Sequence, residues 1–150
     1  MDDLIITGTD NGLITKLQLV LHATFRMKDL GQLTCFLGLE VHHRSNDIFL
    51  NQHKYIQDLI TLAGLEGTTS VDTPMEVNVK YRKDEGDLLA DPTLYRCLVG
   101  SLIYLTTTRP NISYVVHQVS QFMSSPRHLH LVVVRRIICY LIGYPTAYGI

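Results

Sequence analysis

Leucines at 94, 98, 102 and 105 recur at i, i+4, i+8 and i+11 behind an Asp91-Pro92 pair. That spacing lays one apolar stripe along a helix, and Asp followed by Pro is a strong helix start. Pro110 opens a second helical stretch, with Ile112, Val115, Val116, Val119, Phe122 and Met123 as its stripe. Ser124-Ser125-Pro126 breaks it, and a third helix is predicted from about Arg127 to Ile142, ending at Gly143 and Pro145. This last segment is apolar nearly all round, from Leu129 to Val134 and again from Ile137, as expected of a helix buried among others. Stripes so close in sequence bury most cheaply against one another. Residues 91–150 are therefore expected to form a helical lobe.

The N-terminal half has a different period. Leu4 to Gly8 reads as a short buried strand, and Asp10 as a helix N-cap. Leu13, Leu17, Val20, Leu21 and Phe25 follow at helical spacing, with Lys16 and Gln18 on the other face. Leu33 to His43 is rich in strand formers, Arg44 to Asp47 supplies turn residues, and Ile48 to Leu50 resumes the strand. A β-hairpin with its turn at Ser45 to Asp47 is predicted. Tyr55, Ile56, Leu59, Ile60, Leu62 and Ala63 then suggest a short helix closed by Gly64. Residues 64–90 are irregular and read as a connection, with a short strand expected near Val71 to Met75. The expected fold is α+β, divided at 1–63, 64–90 and 91–150.

Composition narrows the partners. Thirteen basic and fourteen acidic residues leave a net charge of −1, without the basic surplus typical of a nucleic-acid-binding chain. Local clusters remain: Arg26 with Lys28, Lys80 to Lys83, and Arg135 with Arg136, each also readable as solvated surface. Cys35, Cys97 and Cys139 are far apart and lack metal-ligand spacing, so reduced thiols and an intracellular setting, cytoplasmic or nuclear, are expected. No apolar run approaches a membrane span, so no membrane partner is expected. His42 and His43 would point to opposite faces of a strand, and His128 and His130 diverge on a helix, which argues against a zinc site. There is no phosphate-binding Gly loop and no Gly-x-Ser-x-Gly motif.

Asp2-Asp3 stands directly before the apolar run at Leu4. Paired carboxylates there can hold divalent metal, though an acidic pair beside a start Met is also an ordinary exposed terminus. The run Met1-Asp2-Asp3-Leu4-Ile5-Ile6-Thr7-Gly8 resembles the end of the Tyr-x-Asp-Asp turn of reverse transcriptases. Phe25 to Gly31, Phe36 to Val41, Val71 to Met75, Tyr95 to Leu105, Thr108 to Ser113 and Val119 to Phe122 carry further motifs in order. Together they resemble the reverse transcriptase of copia-type retrotransposon Pol polyproteins, across essentially the whole chain.

The resemblance implies RNA-directed DNA synthesis, with Mg2+ as cofactor and a template–primer RNA–DNA hybrid as partner. It implies that Asp2 is a catalytic metal-binding carboxylate and Asp3 its neighbour in the turn. Phe36, Leu37, Gly38, Leu39 and Glu40 would begin the primer grip. Lys28 stands where a general acid for pyrophosphate could sit, or is a solvated Lys. Residues 1–63 would be a partial polymerase palm, and 91–150 a thumb and connection lobe cut before ribonuclease H. Arg135 and Arg136 would touch phosphate or face solvent. The family's other catalytic Asp, its fingers and the strand that pairs with Leu4 to Gly8 would lie upstream of residue 1. Leu131 and Ile142 stand where the family usually has Trp and Lys. The chain is therefore expected to be a fragment, inactive by itself. The alternative is a non-catalytic module that binds nucleic acid or associates through its apolar third helix.

Overall fold

The computed structural model describes residues 4–45, 47–76, 86–144 and 148–149. Helices and a small antiparallel sheet alternate along the chain, a mixed α+β fold. The order is α1 (Asn11–Phe25), β1 (Cys35–Phe36), β2 (Leu39–His43), β3 (Ile48–Asn51), α2 (His53–Ala63), α3 (Thr93–Leu105), a 3-10 turn (Pro110–Ile112), α4 (Ser113–Ser120), α5 (His128–Gly143) and β4 (Tyr148–Gly149). The sheet runs β1-β2-β3-β4.

The predicted hairpin is present. β2 pairs antiparallel with β3 from Glu40 opposite Asn51 to His43 opposite Ile48. The Arg44 N–H donates to the Asp47 carbonyl at 2.8 Å, closing the turn; Asn46 lies outside the described residues. One feature differs from the expected continuous strand over Leu33 to His43. Leu37 and Gly38 take φ of 50° and 80°, so the chain reverses there and Phe36 pairs with Leu39. Two successive residues at positive φ make the tight turn whose twist suits a hairpin. Gly38 adopts that geometry freely, whereas Leu37 does so against the usual preference of a branched side chain. β4 adds to the other edge, with Tyr148 opposite Leu50 and Gly149 opposite Phe49.

The helices begin and end where capping chemistry directs. The Asp10 carboxylate accepts from the Gly12 and Leu13 N–H groups at 2.8 and 3.1 Å, satisfying donors that an α-helix leaves open. Gly64, at φ 65°, closes α2. Asp91 accepts the Thr93 N–H at 2.8 Å, and its bonds to Thr93 hold its carboxyl below the usual range. Pro92 has the helical φ of −80° that launches α3.

One hydrophobic core joins α2, α3, α4 and α5. Leu98, Leu102 and Leu105 are fully buried, as are Ile112, Val134, Ile137 and Ile138. Leu94, Leu131 and Ile142 pack half-buried against the same core. Several buried polar groups are tied down by hydrogen bonds, as burial without partners would be costly. The buried Tyr95 hydroxyl donates to the Val119 carbonyl at 2.6 Å, and at the surface Arg96 Nε donates to the Met123 carbonyl at 2.9 Å. His130 lies flat against Phe122, ring centroids 3.9 Å apart, while its Nδ1 accepts the Arg127 N–H.

The connection is laced onto α5. Leu88 bridges Arg127, the His128 N–H donates to the Asp87 carbonyl, and Arg136 reaches Glu76 and the Thr73 hydroxyl at 3.2 Å each. No strand forms at Val71 to Met75, contrary to expectation.

Two expectations for the N-terminal half are corrected. Leu4 to Gly8 is not a strand: no described strand lies beside it, and Leu4 and Ile5 are exposed. An apolar run becomes a strand only where a neighbour pairs with its backbone. Helix α1 forms as predicted but buries no residue, and Leu13, Leu17, Val20 and Phe25 stay exposed.

Candidate nucleic-acid interface

The Leu37-Gly38 turn is held from both sides. Its strands fix the backbone, and the turn itself rests on the helical core. The Tyr104 hydroxyl, from α3, donates to the Leu37 carbonyl. Tyr55, from α2, meets Tyr104 edge to face with centroids 5.1 Å apart. A Cβ added at Gly38 would stand 3.6 Å from the Tyr104 hydroxyl and 3.7 Å from the Tyr55 ring, so the main chain runs directly over both rings. Glu40 secures the base of the hairpin. Its Oε1 accepts the Lys54 N–H at 2.8 Å, placing a carboxylate at the α2 N-terminus, where the helix dipole favours negative charge. Next to it, Gln52 is buried, and its Oε1 accepts from the Thr108 hydroxyl.

What the turn presents outward is apolar and main-chain. Leu37 is 73% exposed, whereas Phe36, Leu39 and Glu40 are half-buried. Cations lie at the start of α2 and, at the far end of β2, in the β2–β3 turn. Arg44 sits over the Phe49 ring at 5.3 Å, and Lys54 is exposed in the first turn of α2. An apolar, main-chain tip with Lys54 near its base can brace a sugar–phosphate backbone without reading bases.

Of the residues singled out from sequence, Phe36 to Glu40 are thus brought together on one braced turn. Asp2 and Asp3 lie outside the described residues, as do Lys80 to Lys83. Lys28 is exposed in the loop after α1. Arg135 faces solvent, whereas Arg136 is engaged by Glu76 and Thr73. His42 and His43 do point apart: His42 Nε2 meets the Asn51 amide at 3.0 Å, and His43 Nε2 the Leu33 carbonyl at 2.8 Å. Among the described residues no group of three or more His, Cys, Asp or Glu side chains converges. No described helix is long and apolar enough to cross a membrane.

Sequence reasoning missed Tyr55, Tyr104 and the Gln52–Thr108 pair. Tyr55 and Tyr104 had been read only as apolar or motif positions. The available signal was a phenol beside the leucine stripe of α3, between Leu102 and Leu105, since a partly buried Tyr usually finds a partner for its hydroxyl.

Comparison with known proteins gives the family. Residues 1–77 fit the family described as reverse transcriptase (RNA-dependent DNA polymerase). The chain is 41% identical over 146 residues to a retrovirus-related Pol polyprotein from transposon RE1 of Arabidopsis thaliana, covering 97% of this chain and 10% of that protein. It is 34% identical over 154 residues to the Pol polyprotein from transposon TNT 1-94 of Nicotiana tabacum, covering 95% of this chain and 11% of that protein. An uncharacterized mitochondrial protein of Arabidopsis thaliana is 35% identical over 143 residues, covering 95% of this chain and 59% of that protein. No solved structure matches. The chain belongs to the reverse transcriptase family of copia-type retrotransposon Pol polyproteins. It spans about a tenth of the length of those polyproteins.

Proposed function

We propose that this chain is the primer-holding part of a retrotransposon reverse transcriptase. In this reading the Leu37-Gly38 turn is the tip of the primer grip, and the helical lobe is the thumb that backs it. The observation that carries the reading is the seating of the turn on Tyr104 and Tyr55, with Leu37 and the Gly38 main chain left facing outward. A rigid tip with an exposed backbone suits a partner recognised by its sugar–phosphate surface. The template–primer hybrid is that partner, and Mg2+ belongs to Asp2 and Asp3. When bound there, Mg2+ would stabilise charge on the transferring phosphoryl group.

The 150-residue polypeptide by itself is proposed not to polymerise. Two-metal phosphoryl transfer places ions about 4 Å apart between several oxygen ligands. One pair of adjacent carboxylates supplies only a few of the oxygen ligands that two such ions need. A nucleic-acid-binding role can persist without that chemistry. The test is fluorescence anisotropy of a labelled RNA–DNA hybrid titrated with the chain at several salt concentrations. Binding that weakens with salt, and weakens again in Leu37→Asp, is expected. A hybrid bound equally by the parent and Leu37→Asp would place the contact elsewhere.

A further inference from the structure

We infer that Tyr104 is a positioning residue for the nucleic-acid-contacting turn, making the hairpin tip and α3 one mechanical unit. The inference rests on the primer-grip reading and adds a residue and a mode of action to it. Four contacts carry it, drawn from segments far apart in sequence. The Tyr104 hydroxyl donates to the Leu37 carbonyl across 67 residues of chain. Tyr55 braces the Tyr104 ring edge to face. Glu40 caps α2 across 14 residues through the Lys54 N–H. The Thr108 hydroxyl, just beyond α3, donates to buried Gln52 at the α2 N-cap, across 56 residues.

The geometry explains why the bond to Leu37 matters more than an ordinary surface hydrogen bond. Leu37 holds φ of 50°, a conformation that a leucine leaves readily unless something opposes it. Its carbonyl points to the helical core rather than across the hairpin ladder, and the Tyr104 hydroxyl is the donor it meets. Removing that hydroxyl frees the turn to relax while leaving the core leucines in place. Because α3 is clamped by the core through Leu98, Leu102 and Leu105, movement of the helical lobe would carry the tip with it. Tyr104 does not touch nucleic acid in this account. It acts through the Leu37 backbone.

The decisive variant is Tyr104→Phe, which keeps the ring and its packing on Tyr55. Amide hydrogen exchange at Leu39 and Val41, which pair with β1 and the residue before it, and affinity for a labelled RNA–DNA hybrid are both measured well below the unfolding midpoints of parent and variant. Exchange at the turn is expected to quicken about two- to tenfold, the range that the loss of one hydrogen bond of about 0.5–1.5 kcal/mol gives. Hybrid affinity should fall by a similar factor, with exchange in α5 unchanged. Gly38→Ala gives an independent check from the other partner. At φ 80° a Cβ is strained although space exists for it, so the same pair of changes is expected. Unchanged exchange at Leu39 and Val41 in Tyr104→Phe overturns the inference, whatever the parent binds. Faster exchange with unaltered hybrid affinity also overturns it, because the bond would then serve only the fold. A parent chain that binds no hybrid counts instead against the proposed function, and the exchange result still decides whether Tyr104 restrains the turn.

Discussion

Truncating Leu102 should remove a large share of the stability of the helical core. Leu102 is fully buried in α3, between Leu98 and Leu105, and α3 packs against α2, α4 and α5. Leu→Ala at such a site costs the lost transfer energy plus a cavity term, about 2–5 kcal/mol in all. The surrounding side chains come from helices crossing on several sides, which limits collapse into the space and favours the upper half of that range. Domains are typically stable by about 5–15 kcal/mol, so a loss near 3–4 kcal/mol is a substantial fraction. With a urea slope of about 2 kcal/mol per molar, the midpoint should fall by roughly 1.5–2 M. Ile103→Ala is the control, one residue along the same helix but 46% exposed. Helix propensity changes similarly in both variants, so the difference between them isolates burial. Ile103→Ala should shift the midpoint by less than about 0.5 M, which corresponds to about 1 kcal/mol. Equal shifts in the two variants, or a Leu102→Ala midpoint within error of the parent, would refute the packing argument.

Other consequences are open to direct measurement. Burial pushes the Tyr95 phenol well above its usual range. Above pH about 10 the unfolded chain releases that proton while the folded chain keeps it, so stability falls as pH rises. Alkaline urea titrations should show this slope flattened in Tyr95→Phe, at the expense of about 1 kcal/mol at neutral pH for the lost bond to Val119. Cys35 and Cys97 are exposed and Cys139 is buried, with burial raising the Cys139 thiol. A thiol reagent should therefore count two fast groups in native protein and three after denaturation without reductant, and any bridged pair would contradict the reading. Helix α1 buries no residue, so deleting residues 1–30 should move the urea midpoint by less than about 0.5 kcal/mol equivalent. A larger loss would mean that α1 supports the core.

The legible parts of this fold are those whose physics is local or periodic. Asp10, Gly64 and Asp91 mark helix ends because the groups they satisfy lie within a turn of them. The leucines of α3 and the valines of α4 declare their buried face because their spacing admits one face only. What escaped the sequence depends on neighbours. Leu4 to Gly8 has the composition of a strand but no strand beside it among the described residues. The stripe of α1 has helical spacing but nothing described to bury it. The turn at Leu37-Gly38 was hidden because one of its two positive-φ positions is a leucine, held there by Tyr104 from a helix 67 residues away. The motif Tyr95 to Leu105 was recognisable as a family feature. Its physical content became visible only in three dimensions: Tyr95 locks α3 to α4, Arg96 fastens the segment after α4, and Tyr104 seats the turn. Asp2 and Asp3, the most chemically suggestive residues in the sequence, lie outside the described residues.

The central claim is that these residues hold primer and template but do not themselves polymerise. Primer extension on poly(rA)/oligo(dT) with magnesium or manganese tests it most directly, run with the purified chain beside an active reverse transcriptase. No extension is expected at protein concentrations that saturate hybrid binding by anisotropy. Extension that disappears in Asp2→Asn would contradict the account, because the chain would then contain a working metal centre.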